Sequence, residues 1–330
     1  MEKNRILNAI GQFQGQKILV IGDVILDAYY RGTVARISPE APVPIVELKE
    51  KEYRLGGAAN VALNAKDLGA TCIMCSTLGQ DQTASNVMKL FKQEGLNTEG
   101  LIQSDRRMTS VKTRVISGYN QMLRIDEEIN EPLSPEDERI LFDRIKAIID
   151  LEKPEAIIFE DYDKGVISEH LAQGVIAIAK EKGIIVTVDP KRRNFFAYQG
   201  ATMFKPNMKE LRDGLNWPTM TTSDADLKQA FTLLQERMPV DIAFFTLSAD
   251  GVFMTDGKRT DRLPAFKRNI ADVSGAGDTV IATATCALVA GLDLDEVAFT
   301  SNLAAGWVCQ FPGVVSITSE ALTAEVNKHL

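Results

Sequence analysis

The chain has 330 residues, 45% apolar and 25% charged, with a formal net charge of −8 at neutral pH. That composition builds a large globular core and excludes a disordered, collagenous or disulfide-stapled chain. Lys and Arg are scattered rather than grouped, which argues against a nucleic-acid partner gripped by its phosphates but leaves room for a small anionic ligand.

The N-terminal stretch Met1-Glu2-Lys3-Asn4-Arg5-Ile6 lacks the apolar core of a secretion signal. No later apolar run reaches the roughly 18 residues of a transmembrane helix, so a cytoplasmic protein with no membrane partner is expected. Residues 17–23 form an apolar run ending in Gly22-Asp23, the pattern of a buried parallel strand whose polar end lies at the C-terminal edge of a sheet. Asp23 is therefore a ligand candidate, and equally a loop-capping carboxylate. Residues 28–55 have strand composition, with Pro39, Pro42 and Pro44 between the runs and no interleaved helix, which predicts a small antiparallel insertion. Gly56-Gly57-Ala58-Ala59-Asn60 opens a helix that stops at Gly69, and its small residues suit either a close ligand or close helix packing. Cys72 and Cys75 form a C-x-x-C inside a strand-like run with no second pair nearby, so a core role is expected. After a helix over 83–94, residues 108–126 read as a second hairpin, which pairs with the first insertion to form a small sheet acting as a lid.

From Ser134-Pro135 onward helices and strands alternate: helix 135–149, strand 156–159, helix 168–181, strand 184–188, strand 202–204, helix 224–237, strand 242–247. Alternation of this kind predicts a parallel sheet flanked by helices, with residues 1–330 as one domain. Strand after strand ends in polar residues: Gly22-Asp23, Glu160-Asp161, Asp189, Asn207, Ser248. Ligands in open α/β sheets collect at that edge.

Near the C-terminus, Asp272-Val273-Ser274-Gly275-Ala276-Gly277-Asp278-Thr279 turns from loop into helix. A helix start offers unpaired N–H groups and the positive end of the dipole, and glycines let an anion approach. No G-x-x-x-x-G-K-[ST] phosphate loop exists, and the third glycine of a dinucleotide fingerprint is absent. A carboxylate beside an anion-binding helix start can instead deprotonate a hydroxyl while the amides hold a transferring phosphoryl group. Asp278 is the candidate base, and Gly275, Ala276 and Gly277 the candidate anion hole. Lys191 adds positive charge. Asn207 and Glu210, three apart, can flank hydrated Mg²⁺ or form a helix-capping box. Asp272 orients the loop, binds a cation or caps a turn.

The stretch 272–279 resembles the D-T-x-G-A-G-D signature of the ribokinase/PfkB carbohydrate kinases, with Val273 in place of the usual Thr. Gly56-Gly57 with Ala-Ala-Asn resembles that family's sugar-binding segment, Asn207-Met208-Lys209-Glu210 its N-x-x-E motif, and Ser248-Ala249-Asp250-Gly251 its nucleotide-side segment. Within the family, residues 36–44, 123–126 and 161–165 resemble the heptose 7-phosphate kinases. The resemblance implies a ribokinase-like α/β fold with a β-sheet lid at about 28–55 and 108–126. It implies transfer of the ATP γ-phosphate to the C1 hydroxyl of D-glycero-D-manno-heptose 7-phosphate for ADP-heptose synthesis, with ATP and Mg²⁺, a monovalent cation as a further candidate, and a homodimer through the lid. No H-x-G-H nucleotidyltransferase motif is present, so a stand-alone kinase is expected.

Carried over, Asp278 is the base, with Lys191, Asn207, Met208, Lys209, Glu210, Ser248, Gly251 and Asn302 on the ATP and Mg²⁺ side. No direct metal ligand is expected, Mg²⁺ being held through water near Glu210. Asp23, Gly56, Gly57, Asn60, Arg124, Asp126, Asp161 and Lys164 face the sugar. Asn302 has a helix cap as its alternative. Arg31, Arg36, Lys112 and Arg114 can meet a sugar phosphate or form solvated strand faces. The rival functions are a kinase for another phosphorylated sugar and a non-catalytic sugar-binding protein.

Overall fold

Strands buried along nearly their whole length form the middle of one sheet, and strands with long exposed stretches form a second. The computed structural model describes residues 1–330. In chain order the elements are α1 (Lys3–Gly11), β1 (Lys17–Gly22), β2 (Val24–Ile37), β3 (Pro44–Gly57), α2 (Ala58–Asp67), β4 (Thr71–Gly79), α3 (Gln82–Gln93), β5 (Leu101–Ser104), β6 (Ser110–Ser117), β7 (Asn120–Glu127), α4 (Pro135–Glu152), β8 (Ala156–Glu160), α5 (Glu169–Lys182), β9 (Ile185–Asp189), β10 (Met203–Phe204), α6 (Met208–Gly214), α7 (Asp224–Arg237), β11 (Ile242–Thr246), β12 (Val252–Thr255), β13 (Thr260–Leu263), α8 (Ala276–Val289), α9 (Leu294–Val308) and α10 (Ser319–His329).

The large sheet runs β13-β12-β11-β10-β9-β8-β1-β4-β5, parallel from β11 through β5 and antiparallel at β12 and β13. Its central strands are buried along nearly their whole length, as parallel strands covered on both faces must be. One apolar layer packs α1, α2, α3, α8, α9 and α10 on one face, and another packs α4, α5, α6 and α7 on the other. Polar caps fix where helices begin: Ser134 accepts from Asp137 N, Ser168 from Leu171 N and Ser223 from Asp226 N.

The second sheet runs β3-β2-β6-β7. Each hairpin is antiparallel, as expected, but the seam β2–β6 is parallel. Both seam strands leave the same edge of the large sheet, β2 directly after β1 and β6 after β5, so they point the same way. The strand also begins earlier than the composition indicated, at Val24 rather than residue 28. Elements absent from the sequence reading are α1, β5, the β12–β13 hairpin and α10. The strands among them are four residues long, too short for an alternating pattern to register. No helix is long and apolar enough to cross a membrane.

Candidate active site

The start of α8 carries the central carboxylate. Gly275 sits before it with φ of 79°, a conformation in which a side chain is strained. The amides of Gly275, Gly277 and Asp278 donate to no protein acceptor, leaving the positive end of the helix open. Asp272 orients the incoming loop: its oxygens accept from Ser274 N and Gly313 N, both at 2.9 Å. Asp278 is buried. Its Oδ2 accepts from Asn60 Nδ2 at 2.6 Å and its Oδ1 from the Tyr162 hydroxyl at 2.9 Å. Burial pushes the Asp278 carboxyl up to about 6, against the pull of those two donors.

Asn60 is held in turn. Asn64 Nδ2 donates to Asn60 O at 2.9 Å and to Asn60 Oδ1 at 3.3 Å, while Asn64 Oδ1 accepts from Thr279 Oγ1 at 2.8 Å. Asn64 therefore occupies the oxygen side of the Asn60 amide and turns its NH₂ toward Asp278. The chain of contacts closes α2 onto α8.

Across the strand ends lies a mixed-charge strip. Lys205 Nζ pairs with Asp189 Oδ2 at 2.8 Å, and Lys191 Nζ with Glu210 Oε1 at 2.5 Å. Burial works against the Lys205 charge, but Asp189, Glu210 and Glu160 together raise it. Glu160 is fully buried and both its carboxylate oxygens lack partners. Burial, then Asp189 and Asp278, push it well above the usual carboxylate range. Glu160, Asp189 and Asp278 each offer an oxygen within 4.8 Å of the others. Two orphaned oxygens beside a second carboxylate fit a divalent cation. The Glu210 oxygens are both engaged, by Lys191 and by Asn207 N at 2.8 Å. The open acceptor is thus Glu160 rather than Glu210.

The other expected site residues divide sharply. Asn207 forms the capping box with Glu210, so the capping reading holds while Glu210 also binds Lys191. Met208 and Lys209 begin α6, with Lys209 exposed. Ser248 is exposed, and Gly251, at φ of 87°, lies where a Cβ would meet Leu263 O at 2.0 Å. Asn302 is inside α9 and donates to Pro264 O at 2.8 Å, so it is no helix cap.

On the expected sugar side, Asp23 accepts from the amides of Tyr162, Lys164 and Val166 at 2.8, 3.1 and 3.0 Å. Asp161 accepts from Asp163 N, Asn194 and Tyr198. Both carboxylates shape the 162–166 loop. Lys164 binds Glu128 and Asn130 at 2.8 and 2.9 Å, and Arg124 binds Asp126 on the exposed strand β7. Gly56 and Gly57 give room for Asp27 and for the backbone of Asp23, respectively. Cys72 and Cys75 are buried free thiols, each pushed up to about 12 by burial, which suits a core role. Sequence reasoning missed Tyr162, Asn64 and Lys205. Lys205 left a signal, a lysine directly after the apolar strand Met203-Phe204, and Tyr162 lies within the 161–165 segment named from the sequence, whereas Asn64 left none.

Comparison with known proteins places this geometry. A sequence profile for the pfkB family carbohydrate kinases matches residues 15–321. The "Bifunctional protein HldE" of Methylobacillus flagellatus is 41% identical over 310 residues, covering 94% of this chain and 63% of that protein. The protein of the same name from Rhodospirillum rubrum is 39% identical, covering 94% and 62%. The chain thus spans less than two thirds of the length of these relatives. Among solved structures, Arabidopsis thaliana ribokinase complexed with ribose and ATP superposes with a TM-score of 0.72 at 16% identity, covering 95% of this chain and 99% of that one. Escherichia coli phosphofructokinase-2 in complex with potassium gives 0.76 at 16% identity, covering 96% and 99%. At that identity the two structures establish the ribokinase-like fold alone.

Proposed function

The chain belongs to the pfkB family of carbohydrate kinases, ATP-dependent sugar kinases, and on that premise we propose that it phosphorylates the C1 hydroxyl of D-glycero-D-manno-heptose 7-phosphate. The observation that carries the reading is Asp278, a buried carboxylate at the open start of α8 with its pKa at about 6. The heptose assignment is supported by the segments 36–44, 123–126 and 161–165 and by the identity to the HldE proteins.

In this reading Asp278 takes the proton from the acceptor hydroxyl. The hydroxyl oxygen forms a bond to the γ-phosphorus, the bond from that phosphorus to the bridging β–γ oxygen breaks, and ADP leaves. The free amides of Gly275 and Gly277 and the ammonium of Lys205 stabilise the charge on the transferring group. Asn60 and Tyr162 hold the two Asp278 oxygens in place. Glu160 and Asp189 are the side chains suited to hold Mg²⁺, which supplies Lewis-acid neutralisation of the phosphate oxygens. Potassium titration of the rate tests a monovalent activator. A cytoplasmic location is part of this reading, because the reaction draws on ATP.

The reading extends to a homodimer through the lid, supported by Leu123 and Ile125 on the edge strand β7, exposed by 49% and 46%. The test of substrate is a panel of sugars and phosphosugars with ATP, the products read by phosphorus NMR. Heptose 1,7-bisphosphate should form, with little product from fructose phosphates. The opposite ranking would favour a kinase for another phosphosugar, and no transfer to any sugar would favour a binding protein.

A further inference from the structure

One lid side chain reaches across to the loop that supports the start of α8. Arg54 lies near the end of β3, and among the side chains of the four lid strands it alone donates a hydrogen bond beyond them. Its NH1 donates to Val314 O at 3.2 Å, in the loop between α9 and α10. Within the lid the guanidinium is held twice. Its Nε donates to Glu52 Oε1 at 2.5 Å, and its Cζ lies 5.2 Å from the centre of the Tyr29 ring. Glu52 is two residues back on the same face of the strand, and Tyr29 is its partner across β2. The planar fork thus spends one edge on its own strand and turns the other outward.

Residues 313 and 314 pass that contact on. Gly313 N donates to Asp272 Oδ2 at 2.9 Å, and Asp272 Oδ1 accepts from Ser274 N at the same distance. Val314 packs on the start of α8: a Cβ on Gly275 would lie 3.2 Å from Val314 Cγ1. Gly313 has a φ of 76°, and a Cβ there would meet Arg54 NH1 at 2.9 Å, so the glycine leaves the guanidinium its place. Two adjacent residues therefore touch both ends of the 272–275 loop, and Arg54 holds the second of them.

The amides at the start of α8 are open, and donors aimed at a transferring phosphoryl group help only when they are fixed before it arrives. We propose that Arg54 is a positioning residue for phosphoryl transfer: from the lid it braces residues 313–314 and so fixes the open amides of the α8 start. The inference rests on the kinase reading and adds to it a residue that acts through Val314 and Asp272.

The test uses ATP and heptose 7-phosphate with wild type, Arg54→Met, Asp272→Ala, the double variant and Lys51→Met. Arg54→Met keeps the apolar stem and removes the donors. It should lower kcat on the order of 10–100-fold while KM for ATP stays within about twofold. Lys51 is exposed on the same strand and, three residues away, on the opposite face, so Lys51→Met should change neither constant. Asp272 holds the same loop, so the double variant should fall within about threefold of the less active single variant. An unchanged kcat in Arg54→Met, a loss confined to KM, or losses that multiply in the double variant would each overturn the proposal. Hydrogen exchange read by mass spectrometry needs no activity. In Arg54→Met the bonded amides of Asp272, Ser274 and Gly313 should exchange on the order of tenfold faster, with β8 and β9 unchanged. Equal acceleration throughout the chain, or none at these three amides, would also overturn the brace. If wild type phosphorylates no sugar, the kinase reading fails by itself, and the exchange measurement still decides whether Arg54 holds the loop.

Discussion

Asp278 is pulled two ways: burial favours its neutral form, while Asn60 and Tyr162 favour the ion. The balance at about 6 leaves it ionised and still basic near neutrality. Asp278→Asn should lower kcat on the order of 10²–10⁴-fold with sugar binding nearly intact by calorimetry. The wild-type rate should fall as pH drops through about 6, because the protonated carboxyl cannot accept a proton. Stability carries the opposite sign. A carboxyl raised from 3.8 to about 6 on folding binds protons more tightly in the native state, so its contribution is full below about 4 and is lost as pH rises through 6. In metal-free buffer, Asp278→Asn should therefore melt no lower than wild type at pH 8, and any advantage should vanish toward pH 4. Asn64 acts one step back, as a positioning residue. Asn64→Leu frees the Asn60 amide to turn its oxygen toward Asp278, which should raise the acid limb of the pH–rate profile and cost about tenfold in kcat at neutral pH. A uniform loss with an unmoved pH profile would assign Asn64 to packing alone.

At the scale of the element, the α8 start separates two glycines that look alike in the sequence. Gly275 has a positive φ, and a Cβ there would sit 3.0 Å from Asn60 Nδ2. Gly275→Ala should cost about 1–2 kcal/mol in a denaturant titration and disturb the Asn60–Asp278 bond. Gly277 is helical, and its Cβ would meet Asp189 Oδ2 and Lys205 Nζ at an easy 3.7 Å. Gly277→Ala should fold with unchanged melting yet lose activity, because the methyl occupies the approach to the open amides. A folding defect in that variant would contradict the distinction. The polar strand ends were legible because apolar runs stop abruptly before Glu160 and Asp189. Tyr162 and Asn64 were not, because what they touch is set by chain segments more than a hundred residues away: Tyr162 meets Asp278 across 116 positions and Asn64 meets Thr279 across 215. Asp23 and Asp161 were legible as polar strand ends, but their partners were not: Asp23 accepts from three amides of the 162–166 loop, and Asp161 accepts from Asp163 N, Asn194 and the Tyr198 hydroxyl.

Over the whole molecule, the alternation of helix and strand made the parallel sheet and its lid readable, since both faces of β1, β8 and β9 are apolar. The parallel seam of the lid was not readable, because strand direction depends on where each hairpin departs from the large sheet. The lid edge yields a test of assembly: Leu123→Glu with Ile125→Glu should leave a folded monomer by light scattering if the lids pair, and an unchanged mass would sink the dimer. The closing contacts of the site also bear on how the protein comes apart. Asn60 reaches Asp278 across 218 positions and Arg54 reaches Val314 across 260, whereas helices and hairpins are local. Closing a long loop costs entropy before its contacts form, and parts of a fold can open separately from the rest. In a urea series, catalysis should therefore disappear at a lower concentration than the far-ultraviolet helix signal, and coincident transitions would show that the site and the scaffold melt as one cooperative unit.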